Sequence, residues 1–111
     1  MDEKLRGFGK KTNTPNGKKK LNTQKGAIYF NQAIKQHRNG KLEKAKILYL
    51  KSISNGFESE LLYLNLGVIY KNESEFKEAM KCQRKALHIN PFSSDAYTNL
   101  SSLEITKNDF E

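Results

Sequence analysis

Residues 60–93, ELLYLNLGVIYKNESEFKEAMKCQRKALHINPFS, decide the fold because their pattern recurs along the chain every 34 residues. One column of this pattern holds a tyrosine in every period: Tyr29, Tyr63 and Tyr97. Another holds a small residue in every period: Ala33, Gly67 and Ser101. Four further columns repeat: Leu42, Phe76 and Phe110; Ala45 and Ala79; Ser52 and Ala86; Ile53 and Leu87. Self-similarity at one fixed period is the sequence sign of a repeat architecture. We therefore divide the chain into repeats 26–59, 60–93 and an incomplete 94–111.

Each complete period is predicted to contain two helices joined by a turn. The apolar spacing predicts first helices at Gly26–Asn39, Glu60–Asn72 and Ser94–Lys107, and second helices at Leu42–Ser54 and Phe76–Ile89. Asn39-Gly40 and Asn55-Gly56 can supply the left-handed residue that ends a helix, and Asn90-Pro91 stops one. Ser59 and either Ser93 or Ser94 are the predicted N-caps. The small residues in the columns of Ala33 and Ala45 predict that two helices cross closely there.

The second period resembles a tetratricopeptide repeat. The resemblance rests on eight residues: Tyr63, Leu66, Gly67, Tyr70, Phe76, Ala79, Ala86 and Pro91. The first period fits less closely, because residues typical of the repeat are replaced by Gln32, Gln36, Ser52 and Phe57, and terminal repeats are often atypical. The resemblance covers residues 26–111 and implies an all-α solenoid, a right-handed superhelix of about two and a half repeats. It implies little about function beyond a scaffold for binding proteins, because such repeats serve many systems.

The basic charge of the chain is concentrated before the first repeat. Residues 1–25 hold eight basic and two acidic residues, whereas residues 26–111 hold twelve basic and ten acidic ones. The first segment has few large apolar residues and several glycines, so we expect it to be a disordered basic tail. Such a tail could contact phosphates or an anionic membrane surface, but a solvated leader is the favoured interpretation and nucleic-acid binding the less favoured one.

The composition argues against several functional classes. No apolar run approaches 18 residues, so no membrane span is expected, and the lone Cys82 with no apolar leader predicts a cytoplasmic protein. His37 and His88 lie far apart without nearby Cys or paired carboxylates, so we expect no metal site; His37 can line a groove, but a solvated histidine is favoured. No nucleophile, base and oxyanion site assemble, so we expect no catalytic residue, no cofactor, no small-molecule substrate and no enzyme activity.

The third repeat stops at Phe110-Glu111, where its second helix is expected to begin. Its first helix would then leave Tyr97, Leu100 and Leu103 only partly covered. We favour the interpretation that the chain is a fragment of a longer protein. The alternative is a homo-oligomer that forms through this uncapped C-terminal helix.

Three asparagines occupy one column of the repeat: Asn31, Asn65 and Asn99. A side-chain amide offers an acceptor and two donors, so a row of amides along the concave face could hold the backbone of an extended peptide. The row is similar to the asparagine ladder of the repeat region in O-linked N-acetylglucosamine transferases, where it binds substrate polypeptides. The alternative, in which each amide only bonds its neighbours and stiffens the stack, remains open. The predicted peptide-binding groove consists of Asn31, Asn65, Asn99, Phe30, Ile34, Leu64, Val68, Lys71, Asn72 and Thr98.

The preferred hypothesis is a protein–protein interaction module that binds an extended peptide in the concave groove. It would form the N-terminal part of a larger protein, such as a glycosyltransferase with linked repeats. The alternatives are an assembly scaffold that stacks through its open end and nucleic-acid association through the basic tail.

Overall fold

The computed structural model describes the backbone of residues 15–110 and the side chains of residues 20–106. The described chain consists of five helices: α1 (Pro15–Arg38), α2 (Leu42–Ser54), α3 (Glu60–Asn72), α4 (Phe76–Ile89) and α5 (Ser94–Phe110). The described residues form no strand. Helix α1 packs along α2, α3 along α4, and α5 against α4, so the helices stack in chain order as consecutive pairs. The predicted all-α helical-repeat fold is confirmed, and α2, α3 and α4 have the predicted bounds.

Helix α1 begins eleven residues earlier than the sequence predicts, at Pro15 and not at Gly26. Proline is well tolerated in the first turn of a helix, and the lysines that follow are good helix formers. Thr23 lies beside the turn after α2, since a Cβ added to Gly56 would come 3.6 Å from its Oγ1. Residues 15–25, which composition assigned to the tail, therefore continue the packed helix. The prediction of disorder for residues 1–14 concerns a segment outside the described residues.

The turns use the predicted chemistry. Gly40 and Gly56 both have positive φ, 76° and 84°, and Ser74 takes the same conformation in the next turn with φ 61°. The Ser59 Oγ accepts a hydrogen bond from the Leu62 N–H at 3.0 Å, so Ser59 is the N-cap of α3. Ser93 does the same for Ala96 at 3.2 Å at the start of α5, which settles the choice between Ser93 and Ser94. Each bond satisfies a backbone donor that the first turn of a helix leaves free.

The core forms where the small residues of the repeat let helices approach. Ala33, Ala45 and Ala79 are fully buried, as their columns predict. Gly67 lies against Gln83 and Cys82 of α4, and a Cβ at Gly67 would collide with the Gln83 amide. Around these crossings the largest fully buried apolar side chains are Tyr49, Leu62, Leu66, Ile69 and Leu103. Because Gln83 is buried and bonded at both ends of its amide, it cannot move aside freely, and the glycine leaves the room that the glutamine needs against α3.

The outer face of α1 explains why the first repeat departs from the family pattern. Ile28, Gln32 and Lys35 are exposed there, whereas the residues one period later are buried: Leu62, Leu66 and Ile69. Those later positions pack inside the stack, while the α1 positions face outward. Gln32 and Lys35 thus give this end of the stack a solvated surface, as a terminal repeat requires.

The last helix is less open than the sequence predicts. Tyr97 is 55% exposed and Leu100 is half-buried, but Leu103 is only 1% exposed. Leu103 packs with Ala79 and Met80 of α4. It therefore belongs to the core and not to an uncovered face, because α4 already covers that side of α5.

Substituting Gly67 by alanine should destabilise the protein by about 1–2 kcal/mol, because overpacking outweighs the gain in helix propensity. The free energy of unfolding in urea measures the effect. In a Gln83→Ala background the same substitution should cost less, since the colliding amide is gone and the Cys82 Cβ, at 3.2 Å, is the close neighbour that remains. A Gly67→Ala protein more stable than the parent would contradict this account of the crossing.

Candidate peptide-binding groove

A pocket of about 310 Å³ opens between the first helices of two successive repeats. Its lining comes from α1 and α3: Ile34, His37, Arg38, Leu61 and Asn65. Ile34 and Leu61 supply apolar walls, Asn65 supplies an amide, and Arg38 supplies a positive charge. An apolar pocket with a few converging polar groups is the usual form of a binding site.

Asn65 is tied to the second helix of the preceding repeat. Its Nδ2 donates a hydrogen bond to the Tyr49 Oη at 3.1 Å. The Tyr49 side chain lies in the core, and burial raises the pKa of its hydroxyl while the bond from Asn65 partly opposes that rise. The bond uses one N–H of the Asn65 amide and leaves Oδ1 without a partner among the described residues.

Asn99 makes the equivalent bond one period later. Its Nδ2 donates to the Gln83 Oε1 at 3.2 Å, and Asn99 follows Gln83 by 16 residues, as Asn65 follows Tyr49. Gln83 is buried, and its Nε2 donates in turn to the Leu64 carbonyl at 3.5 Å. A polar link between the second helix of one repeat and the first helix of the next therefore recurs with the period of the fold.

Asn31 has a different environment. It is exposed and has no hydrogen-bond partner among the described side chains. The position 16 residues earlier lies in α1 itself, so the place that Tyr49 and Gln83 occupy on a second helix has no counterpart for Asn31 among the described residues. Asn65 and Asn99 thus make the bonds expected if the asparagines stiffen the stack, whereas Asn31 does not. Peptide binding by the column stays a prediction.

The remaining predicted groove residues divide between core and surface. Phe30 is half-buried and packs on Phe57 with ring centroids 5.2 Å apart, and Leu64 is buried. Lys71 donates from Nζ to the Ser102 Oγ at 2.6 Å, which joins α3 to α5. Val68, Asn72 and Thr98 are exposed. Of the predicted set, the structure brings Ile34 and Asn65 together in one pocket.

His37 is half-buried in this pocket and is not the solvated histidine that the sequence favours. Its Nδ1 lies 3.1 Å from the Tyr49 Oη, and its ring meets the Tyr49 ring edge-on with centroids 6.0 Å apart. Burial lowers the pKa of His37, so the imidazole is neutral at pH 7. Tyr49 and Gln83 were missed altogether, although polar residues recurring 34 apart in the second helices gave a usable signal.

Cys82 lies in α4 against Gly67 and is buried. Burial raises the pKa of the thiol to about 12. Because the thiolate is the nucleophilic form, this cysteine is poorly suited to covalent chemistry. Within the described part of the chain, no group of three or more His, Cys, Asp or Glu residues could hold a metal ion. No helix of the described residues has the length and hydropathy needed to cross a bilayer.

Asn65→Ala should lower the free energy of unfolding by about 1 kcal/mol, because it removes the bond that joins α3 to Tyr49. Asn31→Ala is the matched control, since the exposed amide makes no such bond, and it should change stability by less than about 0.5 kcal/mol. Urea unfolding monitored by circular dichroism measures both. Equal effects of the two substitutions would show that the bond from Asn65 to Tyr49 adds nothing to stability.

Native Cys82 should react with a thiol reagent at pH 8 on the order of 100-fold more slowly than the same thiol in urea-unfolded protein. The reason is its burial and its raised pKa. Absorbance of the released aromatic thiolate gives the rate, and the unfolded protein is the control. Comparable rates in the two states would show that α4 does not enclose the thiol.

Comparisons with known proteins agree with the geometry. Residues 61–93, which span most of α3 and all of α4, match the family model for the tetratricopeptide repeat. The chain is also similar to the N-terminal acetyltransferase A complex auxiliary subunit NAA15 of Arabidopsis thaliana, with 33% identity over 57 residues. That similarity covers 51% of this chain and 6% of the relative, so the chain spans a small part of the relative's length. Residues 61–93 therefore contain a tetratricopeptide repeat, the stacked helix pairs are consistent with a fold built from such repeats, and repeats of this kind are generally non-catalytic modules for protein–protein interaction.

Proposed function

We propose that the chain binds an extended segment of a partner protein along the face formed by α1, α3 and α5. The observation that carries the proposal is the pocket between α1 and α3, where apolar walls surround a polar amide. Leu61 is 50% exposed and Val68 is 38% exposed on α3, which leaves apolar surface beside Asn65 for partner side chains.

The asparagines support this proposal through the bonding groups they leave free. Asn65 and Asn99 each use one N–H within the stack. Each therefore retains a carbonyl oxygen and one N–H, which can pair with the N–H and C=O of a peptide unit. Main-chain pairing of this kind holds a peptide with little dependence on its side chains, so the apolar pocket and Arg38 would supply the selectivity.

The proposed groove is tested by selecting peptides from a random library on the purified protein and measuring their affinity by fluorescence anisotropy. Leu61→Asp should lower the affinity for the selected peptides by about tenfold or more, because it places an unpaired charge on the apolar wall. Ile47→Asp is the matched control, since Ile47 is 45% exposed on α2 and does not line this pocket. Equal affinity for both variants, with both folded, would place the binding surface elsewhere.

A second candidate function is supported by the similarity to an auxiliary subunit. On this proposal the bound partner is itself an enzyme, and the repeats hold it as an accessory subunit would. A relative of this kind lends no support to a linked glycosyltransferase, which stays a prediction. Affinity purification followed by an acetyl-transfer assay on N-terminal peptides separates the two ideas, because a peptide-binding module alone would bring down no such activity.

A further inference from the structure

We propose that His37, acting through the Tyr49 hydroxyl, sets which hydrogen-bonding groups Asn65 presents to the pocket. The protonation of His37 then converts the amide from a mainly accepting to a mainly donating group. His37 and Tyr49 are positioning residues on this proposal, and Asn65 is the group that meets the ligand.

The Tyr49 hydroxyl has one proton and two hydrogen-bonding neighbours, Asn65 and His37. The Asn65 Nδ2 lies 3.1 Å from Oη and can only donate, so Oη accepts that bond. The one proton of the phenol is then available to the other neighbour, the His37 Nδ1 at 3.1 Å. If Nδ1–H donated instead, the proton of the buried phenol would be left without an acceptor, so we assign the neutral imidazole its proton on Nε2 and leave Nδ1 to accept from Tyr49. In this state Asn65 keeps Oδ1 and one N–H for the pocket.

These bonds change when His37 takes up a proton. Nδ1 then donates to the Tyr49 Oη, and the phenol must find another acceptor for its own proton. The Asn65 Nδ2 cannot serve, and Tyr49 is buried away from water. A half-turn of the Asn65 amide places Oδ1 against the hydroxyl and restores every bond. The amide now keeps both N–H groups and one lone pair for the pocket.

The groups around His37 fix the pH range of this change. Tyr49 faces it from α2, Asn65 lies beyond Tyr49 on α3, and Arg38 is the charged residue that lines the same pocket. Burial lowers the pKa of His37. The neutral state is therefore favoured at pH 7, and the amide reverses as the pH falls through the lowered pKa of His37.

Asn99 provides an internal control that cannot make this change. Its partner Gln83 is held from the other side, because the Gln83 Nε2 donates to the Leu64 carbonyl. The Gln83 Oε1 is thus committed to accept from Asn99, and neither group titrates. The two asparagines of the column therefore differ: one amide is fixed and the other depends on pH.

The consequence for binding rests on the proposed function. Above the histidine pKa, Asn65 accepts hydrogen bonds from a guest backbone. Below it, two amide N–H groups, the imidazolium and Arg38 converge on the pocket and favour a peptide with a carboxylate at that position. The selectivity of the groove for acidic peptides should therefore rise as the pH falls.

The experiment is a titration of the ¹⁵N-labelled free protein from pH 8 to pH 5, followed by nuclear magnetic resonance. At pH 8 the His37 ring should show protonated Nε2 and unprotonated Nδ1. The side-chain amide signals of Asn65 should shift with the same midpoint as His37, whereas those of Asn99 should stay within the drift of exposed asparagines. A protonated Nδ1 at pH 8, or an Asn65 amide insensitive to the His37 midpoint, would overturn the proposal.

Two variants keep the result interpretable. Tyr49→Phe removes only the hydroxyl, so His37 should still titrate while the Asn65 response disappears; a persistent response would mean that the coupling does not pass through Tyr49. His37→Gln should abolish the Asn65 response. These measurements need no ligand. The coupling of Asn65 to His37 can therefore be absent while the groove still binds peptides, and it can be present although the groove binds none.

Discussion

The stack depends on a buried glutamine of α4, whose side chain lies against α3 and reaches α5. Gln83 is 1% exposed, and Gly67 leaves the space that its amide fills. One end of the amide accepts from Asn99 and the other donates to the Leu64 carbonyl. A buried amide is tolerated only when its bonding groups are satisfied, so its partners on α3 and α5 must keep their places. The close approach of α3 and α4 at Gly67 and the position of Asn99 are therefore linked through one buried side chain.

The same constraint takes another chemical form one repeat earlier. Tyr49 stands in the column of Gln83, and Ala33 stands in the column of Gly67. Tyr49 is also buried, but its hydroxyl reaches Asn65 and His37 in place of a backbone carbonyl. In both repeats a side chain of the second helix bonds the asparagine of the following first helix. The bonding group differs, since it is a phenol in one repeat and an amide in the next. A fixed amide at one position and a titratable network at the other result from this difference.

Much of the fold could be predicted because the signals were local. Gly40 and Gly56 mark turns through their backbone freedom, and Ser59 caps α3 through its own hydroxyl, so α2 and α3 begin and end where their sequences indicate. The start of α1 could not be found in this way. Residues 15–25 are polar enough to be interpreted as a tail. They are helical because they extend α1 toward the N-terminus from the part of that helix that packs on α2.

The site was harder to predict for a related reason. A column of asparagines can be read from the period, but the direction in which each amide points depends on partners far along the chain. Leu103 shows the same limit, because α4 fully buries a leucine that the repeat pattern alone predicts to be only partly covered. Tyr49 is hard to recognise because an aromatic residue in a core column is expected to pack through its ring, and only the polar Gln83 one period later indicates that its hydroxyl is bonded.

The structural and binding roles of the asparagines support one another. An unrestrained asparagine must lose side-chain entropy when it grips a peptide, whereas an amide already bonded to a buried partner has lost that entropy on folding. Asn65 and Asn99 are restrained in this way, and the exposed Asn31 is not. A bond that stiffens the stack therefore also prepares the amide for a guest. It follows that the second and third positions of the column should contribute more to affinity than the first, although all three share one residue type and one face.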